Sequence, residues 1–397
     1  MTGNEREAVI VSAVRTPVGR FQGTLVPLSA SDLGGVAVRA AVDRAGVDPA
    51  SVNEVLMGNV VLAGQGQAPA RQAAIKAGLP PTIGATTVNK ICGSGLKTVM
   101  LAAAMISAGD GDIFVAGGME SMNNGPYLLH KARFGYRLGD DKLVDAMVHD
   151  GLWCAFENQH MGNAAEWIAR EYGLTREELD EYAYNSQMKA VAAIDTGSFK
   201  DEIVPVEVPQ RKAPPILFDT DEVPRRDTSL EKLARLKPAF QPDGIVTAGN
   251  SPGITDGAAA TVVMSRAKAE ELGIQPLARV VAYDQAAVEP IKIFTAPIFA
   301  VRKLLAKTGT SVDDYDLVEM NEAFAAQCLA DGRDLELDWE KVNVNGGAIA
   351  LGHPIGCSGA RVLVTLIYAL RHQRLRQGLA TLCLGGGEAV AMAIELE

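Results

Sequence analysis

Three glycine-flanked segments of this chain each carry one side chain capable of nucleophilic or acid–base chemistry. They are Asn89–Gly95 with Cys92, Gly352–Gly356 with His353, and Leu382–Gly387 with Cys383. A thiolate can hold an acyl group, an imidazole can take the proton of that thiol, and a second thiol can move a proton on carbon. Together they predict acyl transfer coupled to proton transfer at carbon.

Cys92 comes just before a predicted helix over Leu96–Ser107. At the ordinary thiol pKa of about 8.5 only ~3% is ionised at pH 7, a cost of about 2 kcal/mol. The unpaired N–H groups of a helix start favour a thiolate and offset part of that cost. Gly93 and Gly95 leave space for an incoming thioester, so we predict Cys92 as the nucleophile. The alternative is a small buried side chain in an apolar helix cap.

His353 is the best candidate for a general base among the five histidines. His130, His149 and His372 lie in charged stretches typical of a surface, whereas His353 lies between glycines in a stretch almost free of charge. An imidazole there is placed to take a thiol proton.

Cys383 ends an apolar run and is followed after Leu384 by three glycines, whose N–H groups could face a developing oxyanion. Asn321, in the segment Met320–Phe324, could hold a water or an oxyanion through its amide. Cys383 is therefore a candidate for the second thiol, and Asn321 by itself is a weaker one.

Apolar runs and helical periodicity alternate along the chain and predict an α/β fold with a largely parallel sheet. Buried strands are predicted at Ala8–Val14, Glu54–Val60, Ile113–Gly118 (running into a glycine turn) and Ala258–Met264, and helices at Asp32–Ala45 (with Ser31 as N-cap) and Leu96–Ser107. Chemistry in such sheets gathers where strands end and helices begin.

The character of the sequence changes between residues 121 and 247. Residues 127–153 predict irregular structure, residues 205–224 are proline-rich and predict no regular structure, and residues 161–193 predict a helix pair. Thr175 and Glu178 have capping-box spacing at the start of the second helix. We interpret this stretch as an inserted loop domain over the active face.

The last third of the chain resembles the first, which indicates two related halves. Gly356–Val364 echoes Ile91–Val99, and Gly378–Gly386 echoes Gly111–Gly118. We therefore divide the chain into an N-terminal half at 1–120, a loop domain at 121–247, the remainder of the N-terminal half at 248–275 and a C-terminal half at 276–397.

Composition narrows the class of protein. The 397 residues carry a formal net charge of −11, which argues against nucleic acid as a partner. No run approaches 18 apolar residues, so no membrane span is expected. The polar N-terminus resembles neither a signal nor a transit peptide, so we expect a cytoplasmic protein with free thiols. The five cysteines fit no zinc spacing, and no metal is expected.

Six blocks of the sequence, in order over essentially the whole chain, resemble those of thiolases. They are Val88–Gly95, Ala116–Met122, His160–Gly162, Asn321–Gln327, Asn345–Gly359 and Leu382–Gly387. The His160 block is similar to that of the short-chain branch, which acts on acetoacetyl-CoA. The resemblance implies two duplicated βαβαβ halves in a layered α/β/α/β/α core with an inserted loop domain. It also implies acetyl transfer: condensation of two acetyl-CoA molecules to acetoacetyl-CoA and CoA, and the reverse thiolysis.

The resemblance assigns a role to each candidate. Cys92 would be acylated and His353 would activate it. A water held by Asn321 would act with His353 on the second thioester, and Cys383 would exchange the α-proton. The N–H groups of Cys92 and Gly385 would hold the oxyanion of the acyl-enzyme.

The same resemblance implies coenzyme A thioesters as substrates and no permanently bound cofactor. Apolar and aromatic positions would line the pantetheine tunnel, or else be plain core: Leu152, His160, Met161, Phe240, Ala248, Phe324 and Ile355. Arg225 would lie near the nucleotide phosphates. Residues 127–147 resemble the tetramerisation loop of short-chain thiolases, which implies a homotetramer built from two dimers.

Four positions depart from the family pattern. Pro252 stands where many relatives have a serine that bonds pantetheine, with Ser251 one residue earlier. Ala389 replaces a glycine after the triple glycine, and Glu388 precedes it; we expect this carboxylate to point away from Cys383, whose pKa it would otherwise raise. Ala164 replaces a commoner Thr or Cys.

Three other functions are weighed against acetyl transfer. A degradative 3-ketoacyl-CoA thiolase of broader chain length shares the reactive residues. A non-catalytic lipid carrier on the same scaffold would lack one of them. A condensing enzyme using acyl carrier protein would have a second His, or a Lys, at the position of Cys383.

Overall fold

The chain folds into two halves of the same design, and the computed structural model describes residues 5–397. Each half begins with a buried strand and then alternates helices and strands. The elements of the N-terminal half are β1 (Ala8–Arg15), β2 (Gly19–Arg20), α1 (Ala30–Ala45), β3 (Glu54–Gly58), α2 (Pro69–Lys76), β4 (Gly84–Val88), α3 (Ser94–Ala108) and β5 (Ile113–Ser121).

An insertion follows β5 before the N-terminal half is completed. Within it lie β6 (Tyr127–Leu128), β7 (Val144–Asp145), β8 (Trp153–Cys154), β9 (Gln159–His160), α4 (Met161–Glu171), α5 (Arg176–Thr196), β10 (Val206–Val208), β11 (Ile216–Phe218) and α6 (Leu230–Ala234). The half then closes with β12 (Thr255–Ser265) and α7 (Arg266–Leu272).

The C-terminal half repeats the same order without the insertion. Its elements are β13 (Ala278–Ala287), α8 (Ala296–Thr308), β14 (Leu317–Met320), α9 (Ala325–Asp334), α10 (Ala348–Leu351), α11 (Ile355–Gln373), β15 (Gln377–Leu384) and β16 (Glu388–Leu396). An isolated parallel bridge between Val318 and Val342 takes the place that β4 has in the first half. The predicted duplication and the α/β fold class are thus confirmed.

The sheet is mixed, and the prediction of a largely parallel sheet is wrong. Strands run in the order β4-β3-β5-β12-β1-β13-β16-β15-β14. Pairing is parallel for β3–β4, β3–β5 and β14–β15, but antiparallel for every pair formed by β12, β16, β1 or β13. The reason is topological: β16 follows β15 through the short turn 385–387, which forces the antiparallel direction, and β12 returns antiparallel beside β5 after the insertion.

Helices α3 and α11 form the layer between the two halves of the sheet. They cross so closely that a Cβ on Gly95 would overlap Ala360, and one on Gly359 would overlap Leu96. This reciprocal contact reflects the internal echo in the sequence. Helices α1 and α2 cover the outer face of the first half and α8 that of the second, which completes the five layers.

One segment, Ile91–Ala108, is apolar and long enough to cross a membrane by length and composition alone. It was not expected, since Gly93, Ser94 and Lys97 interrupt the apolar run. It contains α3, and most of the segment is buried in the core between the sheets.

Two local predictions fail for identifiable reasons. Gly117 and Gly118 lie inside β5, which continues to Ser121, and do not form a turn. They are required because a side chain on either would overlap the backbone of Ala259 or Gly356. Helix α1 is capped by Ser29, with Asp32 reaching back in a capping box, and not by Ser31.

The insertion packs its helices on the second half of the chain. Helices α4 and α5 contact α9, and α5 also contacts α10. The capping box of Thr175 and Glu178 at the start of α5 is confirmed. Residues 205–224 contain the hairpin of β10 and β11, which was not predicted; Val206 and Val208 are both buried there and supply the apolar contact that holds it.

Candidate active site

A cavity of about 380 Å³ lies where the two halves and the insertion meet. Cys92, His353, Cys383 and Gly385 all line it. So do the eight residues that the resemblance assigns to coenzyme A and, with them, Ser251; the eight are Leu152, His160, Met161, Arg225, Phe240, Ala248, Phe324 and Ile355. Residues distant in sequence, from both halves and from the insertion, thus converge on one space.

Cys92 lies in a tight turn between β4 and α3. Ile91 has a φ of 47°, a left-handed conformation that is costly for a β-branched residue. The Ser94 hydroxyl holds the turn, because it donates to the Ile91 carbonyl at 2.6 Å and accepts from the Lys90 N–H at 2.8 Å. The turn presents a half-buried thiol at the cavity wall.

The Cys92 thiol is neutral at pH 7. Burial raises its pKa to about 12, although hydrogen bonds from the N–H of Gly385 and from its own N–H act in the opposite direction. Burial therefore outweighs the helix-start effect that the sequence indicates. Gly385 lines the same cavity as Cys92, which places its N–H near the sulfur.

His353 is a neutral base with one free nitrogen. Its Nδ1 lies 2.6 Å from Ser358 Oγ, and that hydroxyl donates to the Pro354 carbonyl at 2.9 Å. Because a carbonyl can only accept, Nδ1 carries the hydrogen and donates to Ser358. Nε2 is then the basic nitrogen, and it is buried without a partner in the part of the chain that the structure describes. Burial, with the positive charge of Arg361, lowers the His353 pKa to about 3.

Cys383 is a buried thiol near the end of β15, and burial raises its pKa well above the ordinary range, with a further contribution from Cys92. Glu388 points away from it, as predicted. Cys383 is paired with Ala389 across the β15–β16 ladder, whereas Glu388 is paired with Leu384 and therefore belongs to the opposite face. Its carboxylate binds Lys90.

Asn321 follows β14 and is fully buried, but it does not line the cavity. Its side-chain nitrogen and oxygen both lack a partner within residues 5–397. Buried amides are normally satisfied, so this one is suited to a water or a ligand oxygen. Asn321 thus lies behind the cavity wall rather than on it.

Glu322 anchors the backbone beside Asn321. Its carboxylate accepts from Ser186 Oγ at 2.7 Å, from Asn343 Nδ2 at 3.0 Å and from the Ile349 N–H at 3.0 Å. These donors come from α5 of the insertion and from the segment leading to His353. One carboxylate therefore fixes the relative positions of Asn321 and the histidine segment.

Glu120, at the end of β5, plays the corresponding role in the N-terminal half. It accepts from the N–H of Val60 at 3.0 Å, Asn59 Nδ2 at 2.7 Å and the Gly356 N–H at 2.8 Å. Burial raises its pKa to about 7, against the effect of these backbone donors. Glu120 thereby holds the histidine segment of one half against the strand ends of the other.

Aromatic side chains form one wall of the cavity. His160 stacks on Phe240 at a ring separation of 4.8 Å, and Phe324 meets Phe240 and Phe294 edge to face. His160 Nδ1 accepts from the Gly162 N–H and so caps α4. Because burial lowers its pKa, His160 is neutral and carries its hydrogen on Nε2.

The mouth of the cavity carries polar groups suited to an anionic ligand. No carboxylate within residues 5–397 forms an ion pair with the Arg225 guanidinium. Ser251 and Pro252 both line the cavity, and Ser251 Oγ is buried without a partner among the described residues. Ser251 can thus supply a hydroxyl next to the proline that departs from the family pattern. Ala164 is buried in α4 and is not part of the lining.

The sequence did not single out the residues that position the reactive groups. Ser94, Glu120, Glu322 and Ser358 all lie inside the blocks that resemble thiolases. The two carboxylates act through contacts across the fold, whereas the two hydroxyls bond residues three to five positions away. The signal in the sequence that could have indicated the positioning carboxylates was a Glu at the end of an otherwise apolar strand, as at Glu120 and Glu322. Among residues 5–397 no group of three or more His, Cys, Asp or Glu side chains is placed to hold a metal ion.

Comparison with known families agrees with this geometry over nearly the whole chain. Residues 8–267 match the model of the thiolase N-terminal domain, and residues 274–396 match that of the thiolase C-terminal domain.

Curated relatives and a solved structure are similar over their full length. An acetyl-CoA acetyltransferase of Pseudomonas aeruginosa is 54% identical over 98% of this chain and 99% of its own. One of Cupriavidus necator is also 54% identical, with the same coverage. The crystal structure of the Bacillus anthracis acetyl-CoA acetyltransferase has a TM-score of 0.98 at 44% identity and covers 100% of both chains.

Proposed function

The chain belongs to the thiolase family and is an acyltransferase, and on that premise we propose that it is an acetyl-CoA acetyltransferase. It condenses two molecules of acetyl-CoA to acetoacetyl-CoA and CoA, and catalyses the reverse thiolysis. The observation that carries the proposal is the single cavity in which Cys92, His353, Cys383 and the Gly385 amide meet. The names of relatives that share more than half of the sequence support it.

In the first half-reaction, Cys92 Sγ attacks the thioester carbonyl of acetyl-CoA while its proton passes to His353 Nε2. The N–H groups of Cys92 and Gly385 hold the oxyanion. The carbon–sulfur bond to CoA then breaks, and the departing thiolate takes the proton of Cys383. Acetyl-Cys92, an imidazolium at His353 and a thiolate at Cys383 remain.

In the second half-reaction, the Cys383 thiolate takes the α-proton of a second acetyl-CoA. The imidazolium and a water on Asn321 hold the enolate oxygen. The enolate carbon bonds to the acetyl carbon, the bond to Cys92 breaks, and the Cys92 thiolate recovers its proton from His353.

The raised pKa of Cys383 favours removal of the α-proton in the second half-reaction, because a thiolate in a buried site is a strong base. It forms only when an imidazolium is present, so the buried charges appear as a pair.

Coenzyme A occupies the cavity as a substrate, and no resident cofactor is needed. The pantetheine lies against the aromatic wall, with Ser251 Oγ available to its amides, and Arg225 meets the phosphates. The substitution R225Q should raise KM for acetyl-CoA several-fold and leave kcat unchanged. The phosphates are held equally in the bound substrate and in the transition state, so the loss of this contact weakens binding without slowing the chemical step. An unchanged KM would place the phosphates elsewhere.

A homotetramer is proposed from the exposed apolar surface of residues 127–147. Tyr127, Phe134, Leu138 and Leu143 are 61, 84, 101 and 59% exposed, more than a monomer leaves in so short a segment. Sedimentation should give four times the 41.9 kDa chain. A mass of one or two chains would contradict this assembly.

Chain-length preference separates acetyl transfer from broader 3-ketoacyl-CoA thiolysis. The test is kcat/KM for thiolysis of acetoacetyl-CoA and of 3-ketooctanoyl-CoA by the same preparation. We expect the shorter substrate to be preferred, in keeping with the relatives' names and with a cavity of modest volume. A preference for the longer one would overturn the assignment and favour a degradative enzyme.

A further inference from the structure

A salt bridge joins the loops that carry the two reactive thiols. Lys90, two residues before Cys92, donates from Nζ to both carboxylate oxygens of Glu388 at 2.9 Å. Glu388 is the first residue of β16, directly after the turn that provides the Gly385 amide. The side chains are 18% and 39% exposed, so the pair is partly shielded from solvent. It connects the N-terminal half to the C-terminal half at the active site.

The strand register explains why this pair forms. Leu384 and Glu388 are partners in the β15–β16 ladder and belong to the same face. Leu384 lies so close to Gly93 that a Cβ on that glycine would overlap it. That face of the hairpin is therefore packed against the Cys92 turn, and Glu388 extends from it to reach Lys90.

The turn between β15 and β16 needs such a contact because its glycine backbone can adopt many conformations. Gly386 and Gly387 have φ values of 92° and 89°, a region in which glycine is favoured. On the side away from Cys92, the Gly387 carbonyl accepts from the Val288 N–H at 2.7 Å. On the Cys92 side, the charged pair fastens the hairpin at Glu388, three residues after Gly385, whose N–H lowers the pKa of the Cys92 thiol.

We propose that Lys90 and Glu388 are positioning residues that set the Gly385 N–H against Cys92 and so control the rate of acylation. Neither touches the reacting atoms. Glu388 is also one of the positions at which this chain departs from the family pattern, so the device belongs to this chain rather than to the general reaction. The proposal rests on the proposed function only in using acetyl transfer as its readout.

The test is the single-turnover rate of acetylation of Cys92 by acetyl-CoA in K90Q, E388Q and the charge-reversed double variant K90E/E388K. We expect each single variant to be about tenfold slower, since a displaced oxyanion donor loses part of its contribution of 10²–10³. The double variant should recover to within about threefold of the unmodified protein, because the pair can re-form. KM for acetyl-CoA should not change.

The control is R6Q, which removes the Arg6–Asp112 pair, of comparable exposure at 29% and 40% and remote from the cavity. Its acetylation rate should equal that of the unmodified protein. K90R keeps the charge and should retain most of the rate even if K90Q folds poorly. Alkylation of Cys92 by iodoacetamide, which needs no acyl transfer, should also slow in K90Q because the Gly385 N–H stabilises the thiolate.

Several results would overturn the proposal. Acetylation of K90Q at the rate of the unmodified protein would do so. A double variant K90E/E388K no faster than the single variants would also do so, because it would mean that the positive charge of Lys90, and not its contact with Glu388, sets the rate. K90R as slow as K90Q would do the same. If the unmodified protein is not acetylated at Cys92, the proposed function fails instead, and the alkylation rates still decide whether the pair positions the thiol.

Discussion

The two halves of the chain bring their central helices to the same cavity but deliver different groups there. The N-terminal half places Cys92 before α3, and the C-terminal half places His353 before α11. The connection that follows β5 in the N-terminal half differs from the one that follows β15 in the C-terminal half. In the N-terminal half it is the whole stretch 122–254, which supplies the wall of the cavity; in the C-terminal half it is the three-glycine turn 385–387, which supplies an amide.

This difference shows how a duplicated scaffold becomes an asymmetric site. The contact between Gly95 and Gly359 preserves the symmetry at the helix crossing. Ahead of this crossing the two halves differ, because a thiol lies three residues before Gly95 in one half and an imidazole lies six residues before Gly359 in the other. We expect the two halves to be inequivalent in chemistry and joined by the contacts of Glu120 and Lys90.

Removal of the thiol of the N-terminal half should have the largest effect. C92A should reduce condensation and thiolysis by about four to six orders of magnitude, as loss of a covalent nucleophile does. The measurement is steady-state kcat, with circular dichroism as the folding control. Activity within tenfold of the unmodified protein would mean that the acyl group is carried elsewhere.

Removal of the thiol of the C-terminal half should affect the second half-reaction far more than the first. C383A should lower condensation by about 10²–10⁴ because a proton-transfer group is lost. A single acetyl transfer to Cys92 should persist at a lower rate. The readouts are acetoacetyl-CoA formation and stoichiometric CoA release. Loss of both to the same extent would show that the two thiols are not separate in function.

The buried imidazole of His353 should make the free energy of unfolding depend on pH. Burial lowers the His353 pKa to about 3 from about 6.5, so below pH 6.5 the unfolded chain binds a proton that the folded chain does not. The free energy of unfolding should therefore fall by about 3 kcal/mol between pH 7 and pH 4 through this residue alone. Urea unfolding of H353Q should show a correspondingly weaker dependence. Identical slopes for both proteins would contradict a neutral buried imidazole.

The contact between the halves at Glu120 should have a smaller effect. E120Q turns one acceptor into an N–H group facing backbone donors, which should destabilise the protein by about 1–3 kcal/mol. The matched control is E54Q at the half-buried start of β3, where the amide oxygen can still accept from Thr86 and no loss is expected. Equal unfolding midpoints for E120Q and the unmodified protein would show that the histidine segment is held without this carboxylate.

The fold class, the duplication and the cavity residues could be predicted because glycine placement and recurring blocks are local in sequence. Strand direction could not, since the antiparallel return of β12 and β16 depends on which sheet edge is free. The neutral state of Cys92 was also beyond the sequence, because the degree of burial depends on the insertion. Glu120 and Glu322 act through contacts up to 236 residues apart, which no local pattern encodes.

The most direct test of the account is the location of the acetyl group after brief incubation with acetyl-CoA, by peptide mass spectrometry of the unmodified protein and of C383A. The account predicts one acetyl group on Cys92 in both proteins and none on Cys383. Label on Cys383, or no label on Cys92 in the unmodified protein, would contradict the assignment of the two thiols.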